Sequence, residues 1–182
     1  MTLSFASKNR ALIYCNIFLF IAWWVQIVVL YRYLPGQIPM HFDLAGNVTR
    51  MADATPGNWL LSPLMITMSS FTTMMLLWVF TTLGIENYNF PFKKEVLELS
   101  PESQIPFLRV VKEFLTFSLL GALLYMFTIG LVVSLYIYLH ATGEVLIPAS
   151  VWIISATLVY IGRLTVEYFR IKKAFGKQLR SI

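Results

Sequence analysis

Four stretches of this chain are too long and too apolar to be left in water: Ala11 to Tyr31, Leu60 to Leu83, Phe114 to Leu139, and a fourth from about 148 to 175. At about 1.5 Å per residue, a helical run of that kind reaches about 30 Å, the hydrocarbon thickness of a bilayer. In lipid, each backbone N–H and C=O must be paired within the protein, so each run has to be a helix. Only 13 % of the residues are charged, against roughly 25 % in a soluble domain. The expected fold is an all-α membrane protein, one membrane domain over 1–182, with four transmembrane helices. Helix 1 is expected at about 11–33, helix 2 at about 60–83, helix 3 at about 104–140 and helix 4 at about 148–175.

The boundaries come from caps and breakers. Lys8 and Arg10 precede the first run, which has no small-x-small cleavage pattern after it and reads as an uncleaved signal anchor. Ser62-Pro63 is a helix start, with Ser as N-cap and Pro at N1. Ser100-Pro101-Glu102 is another, from which a helix should run unbroken through Arg109 and Lys112 into the third run, to about His140. Pro148 suits N1 of the fourth helix, after a short turn over Ala141 to Val145 that makes helices 3 and 4 antiparallel neighbours. Ser69, Ser70, Thr72, Thr73, Thr81 and Thr82 can bond across a helix contact or back to their own carbonyls. Gln26 reads as a helix–helix hydrogen bond, and Arg163 with Glu167 as an i, i+4 pair. The lone Cys15 lies in an apolar run and supports no disulfide.

Between the first two runs lies the loop 34–59. Pro, Gly, His and Asp crowd together there beside apolar anchors, in Leu34-Pro-Gly-Gln-Ile-Pro-Met-His-Phe-Asp-Leu-Ala-Gly46. Pro39 holds Ile38 extended, so 37–42 should be extended rather than helical. The polar connection 85–113 mixes both charges with Phe90, Phe92, Val96, Leu97 and Leu99. It should lie on the membrane with those side chains dipped in.

Orientation follows from the cations. Lys8, Arg10, Lys93, Lys94, Arg109, Lys112, Arg163, Arg170, Lys172, Lys173, Lys177 and Arg180 fall on one side of four spans, and only Arg32 and Arg50 on the other. The positive-inside rule then puts both termini in the cytoplasm and the 34–59 loop outside as an ordered extracytoplasmic element. The same distribution accounts for the net charge of +5 without nucleic acid. Membrane lipids, anionic ones included, are the expected surroundings.

The sequence Leu34-Pro35, Ile38-Pro39-Met40-His41-Phe42 and Gly46, directly after a first spanning helix, resembles a bacterial membrane family of unknown function. That family forms the N-terminal part of the SdpI-type immunity and signalling proteins. Phe90-Pro91-Phe92-Lys93-Lys94 and Leu97-Glu98-Leu99-Ser100-Pro101-Glu102 resemble the family's stretch after its second helix. Two departures stand out. After the glycine, Asn47-Val-Thr-Arg replaces the family's usual Asp, aromatic and Lys, and the extra helices of SdpI-type proteins are absent. The resemblance implies the bacterial cytoplasmic membrane. For SdpI-type proteins it implies protection against a secreted peptide toxin and sequestration of a repressor; for shorter relatives it implies no settled activity.

No phosphate-binding glycine loop, nucleophile elbow, His-Glu-x-x-His or cysteine pair occurs, and no ionisable residue lies mid-run, so neither an enzyme nor a coupled transporter is expected. No cofactor is expected either. The candidate partner-binding residues are Pro39, His41, Phe42, Asp43 and Gly46. His41 can equally be a structural hydrogen-bonder. Topology puts His41 and His140 at one end with Asp43, Asp53 and Glu144, residue types that bind zinc or copper. No pair of them has i, i+4 spacing, and loops are where polar residues belong. Two classes of function stay open: a binding or immunity protein whose loop engages an extracytoplasmic peptide or protein, and an accessory subunit packed among other membrane subunits.

The orientation is checked by impermeant-thiol labelling of intact cells in a Cys15→Ser background. Asn47→Cys should react and Ser103→Cys should not; the reverse pattern would invert the topology.

Overall fold

The structure is a computed structural model and describes residues 2–43, 45–144 and 148–180. Its elements are α1 (Thr2–Tyr31), β1 (Gln37–Phe42), β2 (Val48–Asp53), α2 (Pro56–Thr82), a 3-10 turn (Ile85–Asn87), α3 (Lys93–Leu97), α4 (Pro101–Ala141) and α5 (Ala149–Leu179). Four helical stretches are long and apolar enough to cross a membrane: Asn9–Tyr31, Pro56–Thr82, Pro101–Ala141 and Ser150–Lys177. This is the architecture of a multi-pass membrane protein.

The fold is not all-α. β1 and β2 form a two-stranded antiparallel ribbon between α1 and α2. Nor does α2 begin at Ser62-Pro63. It begins seven residues earlier by the same chemistry, with Thr55 as N-cap accepting from Asn58 N at 3.2 Å and Pro56 at N1. Trp59 decides between the two starts. Its indole N–H donates to Ile27 O at 3.0 Å in a buried contact, which ties α2 to α1 before Ser62 is reached. α1 ends at Tyr31 rather than 33, and Pro148 precedes α5 instead of starting it. The turn expected over Ala141 to Val145 is described only as far as Glu144; Val145 lies outside the described residues.

α4 is the spine, touching α1, α2, α5 and the ribbon. Ser100 caps it, accepting from Ser103 N, and the helix runs without a break to Ala141. Its 41 residues reach about 60 Å, twice a bilayer's apolar thickness. It stops in a Schellman motif: Gly143 is left-handed (φ +81°), Glu144 N donates to Leu139 O at 2.8 Å and Gly143 N to His140 O at 3.3 Å. Its buried residues Thr116, Leu120, Leu123, Phe127, Gly130 and Ser134 follow a four–three alternation, the spacing that keeps one seam facing a neighbouring helix.

α1 lies in that seam. Trp23 and Ile27 are fully buried with Phe127, Leu123 and Leu120. A Cβ at Gly130 would stand 2.6 Å from the Trp23 ring, so only glycine admits the indole there. Asn16 Nδ2 donates to Leu120 O at 3.0 Å, and Gln26 Nε2 to Leu131 O at 3.1 Å and Ser134 Oγ at 3.2 Å. The α2 hydroxyls of Ser69, Ser70, Thr72, Thr73, Thr81 and Thr82 all bond back within their own helix.

At the end away from the ribbon, a second core gathers Ile85, Tyr88, Val96, Phe107, Val111 and Phe175. Here the expected surface-lying segment is corrected. Val96 is fully buried and Phe90 stacks at 5.3 Å on Phe175 of α5, because α4 and α5 run far enough to offer protein surface in place of lipid. Only Phe92 and Leu97 of the named apolar residues stay exposed. Lys112 Nζ donates to Thr81 O at 2.8 Å, a cation on the last carbonyls of α2. Arg163 does not pair with Glu167; its guanidinium lies 4.0 Å over the Phe117 ring, and Glu167 takes Arg170 at 2.5 Å.

Gly130→Ala should destabilise the detergent-solubilised protein by about 1–3 kcal/mol through overpacking against Trp23. Gly162→Ala, with open space around it, should leave the thermal midpoint unchanged or slightly raised. Equal midpoints for both variants would remove Gly130 from the seam.

Candidate functional site

The candidate site is the ribbon. Gln37 pairs with Asp53, Ile38 with Ala52, Pro39 with Met51, His41 with Arg50 and Phe42 with Val48, with irregularities on either side of His41. Met40 and then Thr49 are the residues passed over. One extra residue on each strand restores the register while twisting the ribbon sharply. Pro39 gives up a ladder donor, as a two-stranded ribbon allows.

The tip is closed by Asp43. Asn47 N donates to Asp43 Oδ1 at 2.8 Å and Asn47 Nδ2 to Oδ2 at 2.9 Å; Asp43 N donates to Asn47 O at 2.9 Å. Gly46 N donates to Asp43 O at 3.0 Å, with Gly46 at φ +89°. Leu44 of the same turn lies outside the described residues. A Cβ at Gly46 would stand 3.0 Å from both the Tyr136 hydroxyl and Pro148 Cβ, so conformation and space both call for glycine. Hydrogen bonds from the Asn47 side chain first, and then its backbone, hold the Asp43 carboxyl below the ordinary carboxylate value.

The five candidate residues divide into two groups. Pro39 is buried beside Ile38, which lies in the core with Trp23, Ile27 and Trp59. Pro39 therefore presents no exposed surface on the ribbon. Phe42 packs on α4, its ring 5.0 Å from Tyr136 and 5.2 Å from His140. The Tyr136 hydroxyl donates to Gly46 O at 3.3 Å. These contacts make Phe42 and Gly46 anchors of the ribbon. His41 and Asp43 are exposed and, with Phe42, Ala45 and Ser150, line a shallow open recess.

His41 Nδ1 and Thr49 Oγ1 are 2.5 Å apart, and Thr49 Oγ1 donates to His41 O at 3.3 Å. Both contacts are met when Nδ1 carries the proton and donates to Thr49, which leaves Nε2 as the ring's outward acceptor. His140 is a ring partner rather than a ligand. It sits 4.4 Å from Tyr136 and edge-on to Phe42, and its Nε2 is buried without a hydrogen bond. Among the described residues, His41, His140, Asp43, Asp53 and Glu144 are not brought together as a group of three or more that could hold a metal. β2 was missed by sequence reading. Val48, Thr49, Arg50 and Met51 are all exposed, so the strand carries no apolar alternation; the hairpin signal was the Asp-x-x-Gly-Asn turn.

Helical spans joined by an anchored β-ribbon thus define a multi-pass membrane protein with a built surface element. Residues 17–66 match a family model described as "Domain of unknown function (DUF1648)". The match spans the second half of α1, the whole ribbon and the start of α2, and is consistent with the family suggested by the loop motif. No curated protein and no solved structure matches the chain.

Because the Asp43 value is lowered on folding, its contribution is complete above the unfolded value near 3.8 and is lost as pH falls through the lower native value. The Asn47 amide resonance should titrate with a midpoint below 3.8 and stop titrating in Asp43→Asn. A midpoint at or above that value would show that the tip is not closed by the carboxylate.

Proposed function

We propose that this is a non-enzymatic protein of the bacterial cytoplasmic membrane, both termini inside, that binds an extracytoplasmic peptide or protein through its ribbon. A role in immunity or signalling of SdpI type is the specific form of this reading. The observation that carries it is the ribbon's asymmetry. β1 is fixed to the bundle by Ile38, Pro39 and Phe42, whereas β2 is exposed at every position but Ala52. Among the described residues no further strand pairs with β2. Its far edge offers backbone donors and acceptors to an extended peptide, the mode of strand addition. His41 Nε2, the Arg50 guanidinium and the Asp43 carboxylate stand around that edge as side-chain determinants. Because the ribbon is held in place before binding, little ordering entropy is lost when a partner docks.

The accessory-subunit reading has its own support. α5 packs on α4 alone among the larger element contacts, and none of its most apolar stretch is buried. A helix so placed faces either lipid or a neighbouring subunit.

The two readings separate by photo-crosslinking in intact cells, with a photoreactive residue at Arg50 or at Leu158. Ribbon binding predicts an adduct from position 50. His41→Ala should weaken it about fivefold, the loss of one hydrogen bond of roughly 1 kcal/mol, at unchanged membrane level. An adduct from position 158 alone would transfer the working surface to α5.

A further inference from the structure

α5 runs on past the hydrocarbon and carries a cationic face where it does so. About 20 helical residues cross a bilayer's apolar layer, so a helix starting at Ala149 emerges near Tyr168. From that level on, Phe169, Lys172, Lys173, Gly176, Lys177 and Arg180 follow a three–four spacing, which lays them along one side of the helix and its last turn. The other side is fixed. Phe175 is fully buried, 5.3 Å from the Phe90 ring and 5.2 Å from that of Phe107. The cationic side therefore faces outward.

Together with Phe92, that side of α5 lines an open groove of about 650 Å³. No acid lines it, and among the described residues Lys172, Lys173, Lys177 and Arg180 make no ion pair; the pair of this stretch is Arg170 with Glu167. The space between the cations is empty, since a Cβ at Gly176 would meet nothing within 4 Å. Two exposed aromatic rings flank it, Phe169 and Phe92. Phe92 is held left-handed at φ 63°, uncommon for a bulky residue. The positive-inside rule accounts for cations at this end of α5. It does not account for their sharing one side of the helix, around a groove with apolar rings beside it.

We propose that this groove binds the headgroup of an anionic phospholipid in the leaflet where α5 emerges. The phosphate lies over Gly176 among the three lysines and Arg180, whose guanidinium fork matches phosphate oxygens. The lipid's glycerol and first methylenes lie along Phe169 and Phe92. A zwitterionic headgroup would bring its ammonium to a surface that already holds uncompensated cations, so a net negative lipid is favoured. The site is separate from the ribbon and depends neither on the ribbon's partner nor on which side of the membrane is cytoplasmic.

The test uses the full chain in detergent micelles holding equal amounts of phosphatidylglycerol and phosphatidylcholine, with the retained lipid counted by native mass spectrometry. Phosphatidylglycerol should be retained over phosphatidylcholine by about tenfold, and Lys172→Gln/Lys177→Gln should bring the ratio to about one, each such cation being worth about fivefold. Lys8→Gln/Arg10→Gln removes the same charge outside the groove and should leave the ratio unchanged. Gly176→Leu, which fills the space between the cations, should lower phosphatidylglycerol retention with every cation in place. Equal retention of the two lipids by the unsubstituted protein, or a preference that survives Lys172→Gln/Lys177→Gln, would overturn the proposal. So would an equal loss in Lys8→Gln/Arg10→Gln or no effect of Gly176→Leu, either of which would reduce the groove to diffuse charge. Displacement of the lipid by excess inorganic phosphate would transfer the site to a soluble anion.

Discussion

The seating of Trp23 on Gly130 sets the geometry that the other elements share. A hydrophobic driving force does not hold helices together in a bilayer, since lipid tails are as apolar as leucine. What remains is close packing and polar contact, and α1 and α4 use both. The indole fills the space a side chain at position 130 would need, while Asn16 and Gln26 each reach a carbonyl of α4. Those two donors lie ten residues apart on α1 and meet Leu120 and Leu131, eleven apart on α4, so the helices are locked parallel to one another at a fixed level. This register places the end of α1, and the ribbon that grows from it, beside Tyr136 and His140.

The ribbon follows from that placement. Chain leaving a helix at a membrane surface must pair its backbone or hydrate it, and a hairpin pairs most of it. Hairpins alone are marginal; this one is stabilised by burying Ile38 and Pro39 in the bundle and laying Phe42 across two rings of α4. The bond from Trp59 to Ile27 O closes the same corner from the α2 side. Anchor and exposed surface are therefore joined in one strand: Ile38 and Pro39 of β1 enter the core and Phe42 packs on α4, while His41 and most of β2 stay outside.

What the sequence made legible was whatever local chemistry decides. Run length set the four spans, Ser100-Pro101 set the start of α4, and the hydroxyls of α2 bonded where isolated helices would have them bond. What escaped it was decided by neighbours. Thr55-Pro56 and Ser62-Pro63 are equivalent starts until Trp59 finds Ile27. Val96 and Phe90 read as lipid-facing until α4 and α5 prove long enough to cover them. Arg163 has an acid one turn away, yet takes the face of Phe117 on the adjacent helix. β2 mixes apolar and polar residues on both faces because β1 is the strand that enters the bundle, so the pattern that identifies half-buried strands is missing. Among the site residues, sequence grouped five by composition. The structure separates Pro39, Phe42 and Gly46, which fix the ribbon, from His41 and Asp43, which it presents.

The bundle is tight near the ribbon and leaves a cleft between that core and the second one. Near the ribbon, Trp23, Ile27, Trp59 and Ile38 share one core and close the space between α1 and α2. Farther along, a cleft lies between α1, α2 and α4, and beyond it Lys112 of α4 reaches the last carbonyls of α2. A platform that must hold a ribbon in one orientation needs rigidity at its ribbon end, where a small rotation of α1 would swing the strand. The far half is free of that demand. Looser packing costs least there because lipid can occupy what side chains leave empty. An apolar groove alone would be filled by acyl chains without preference.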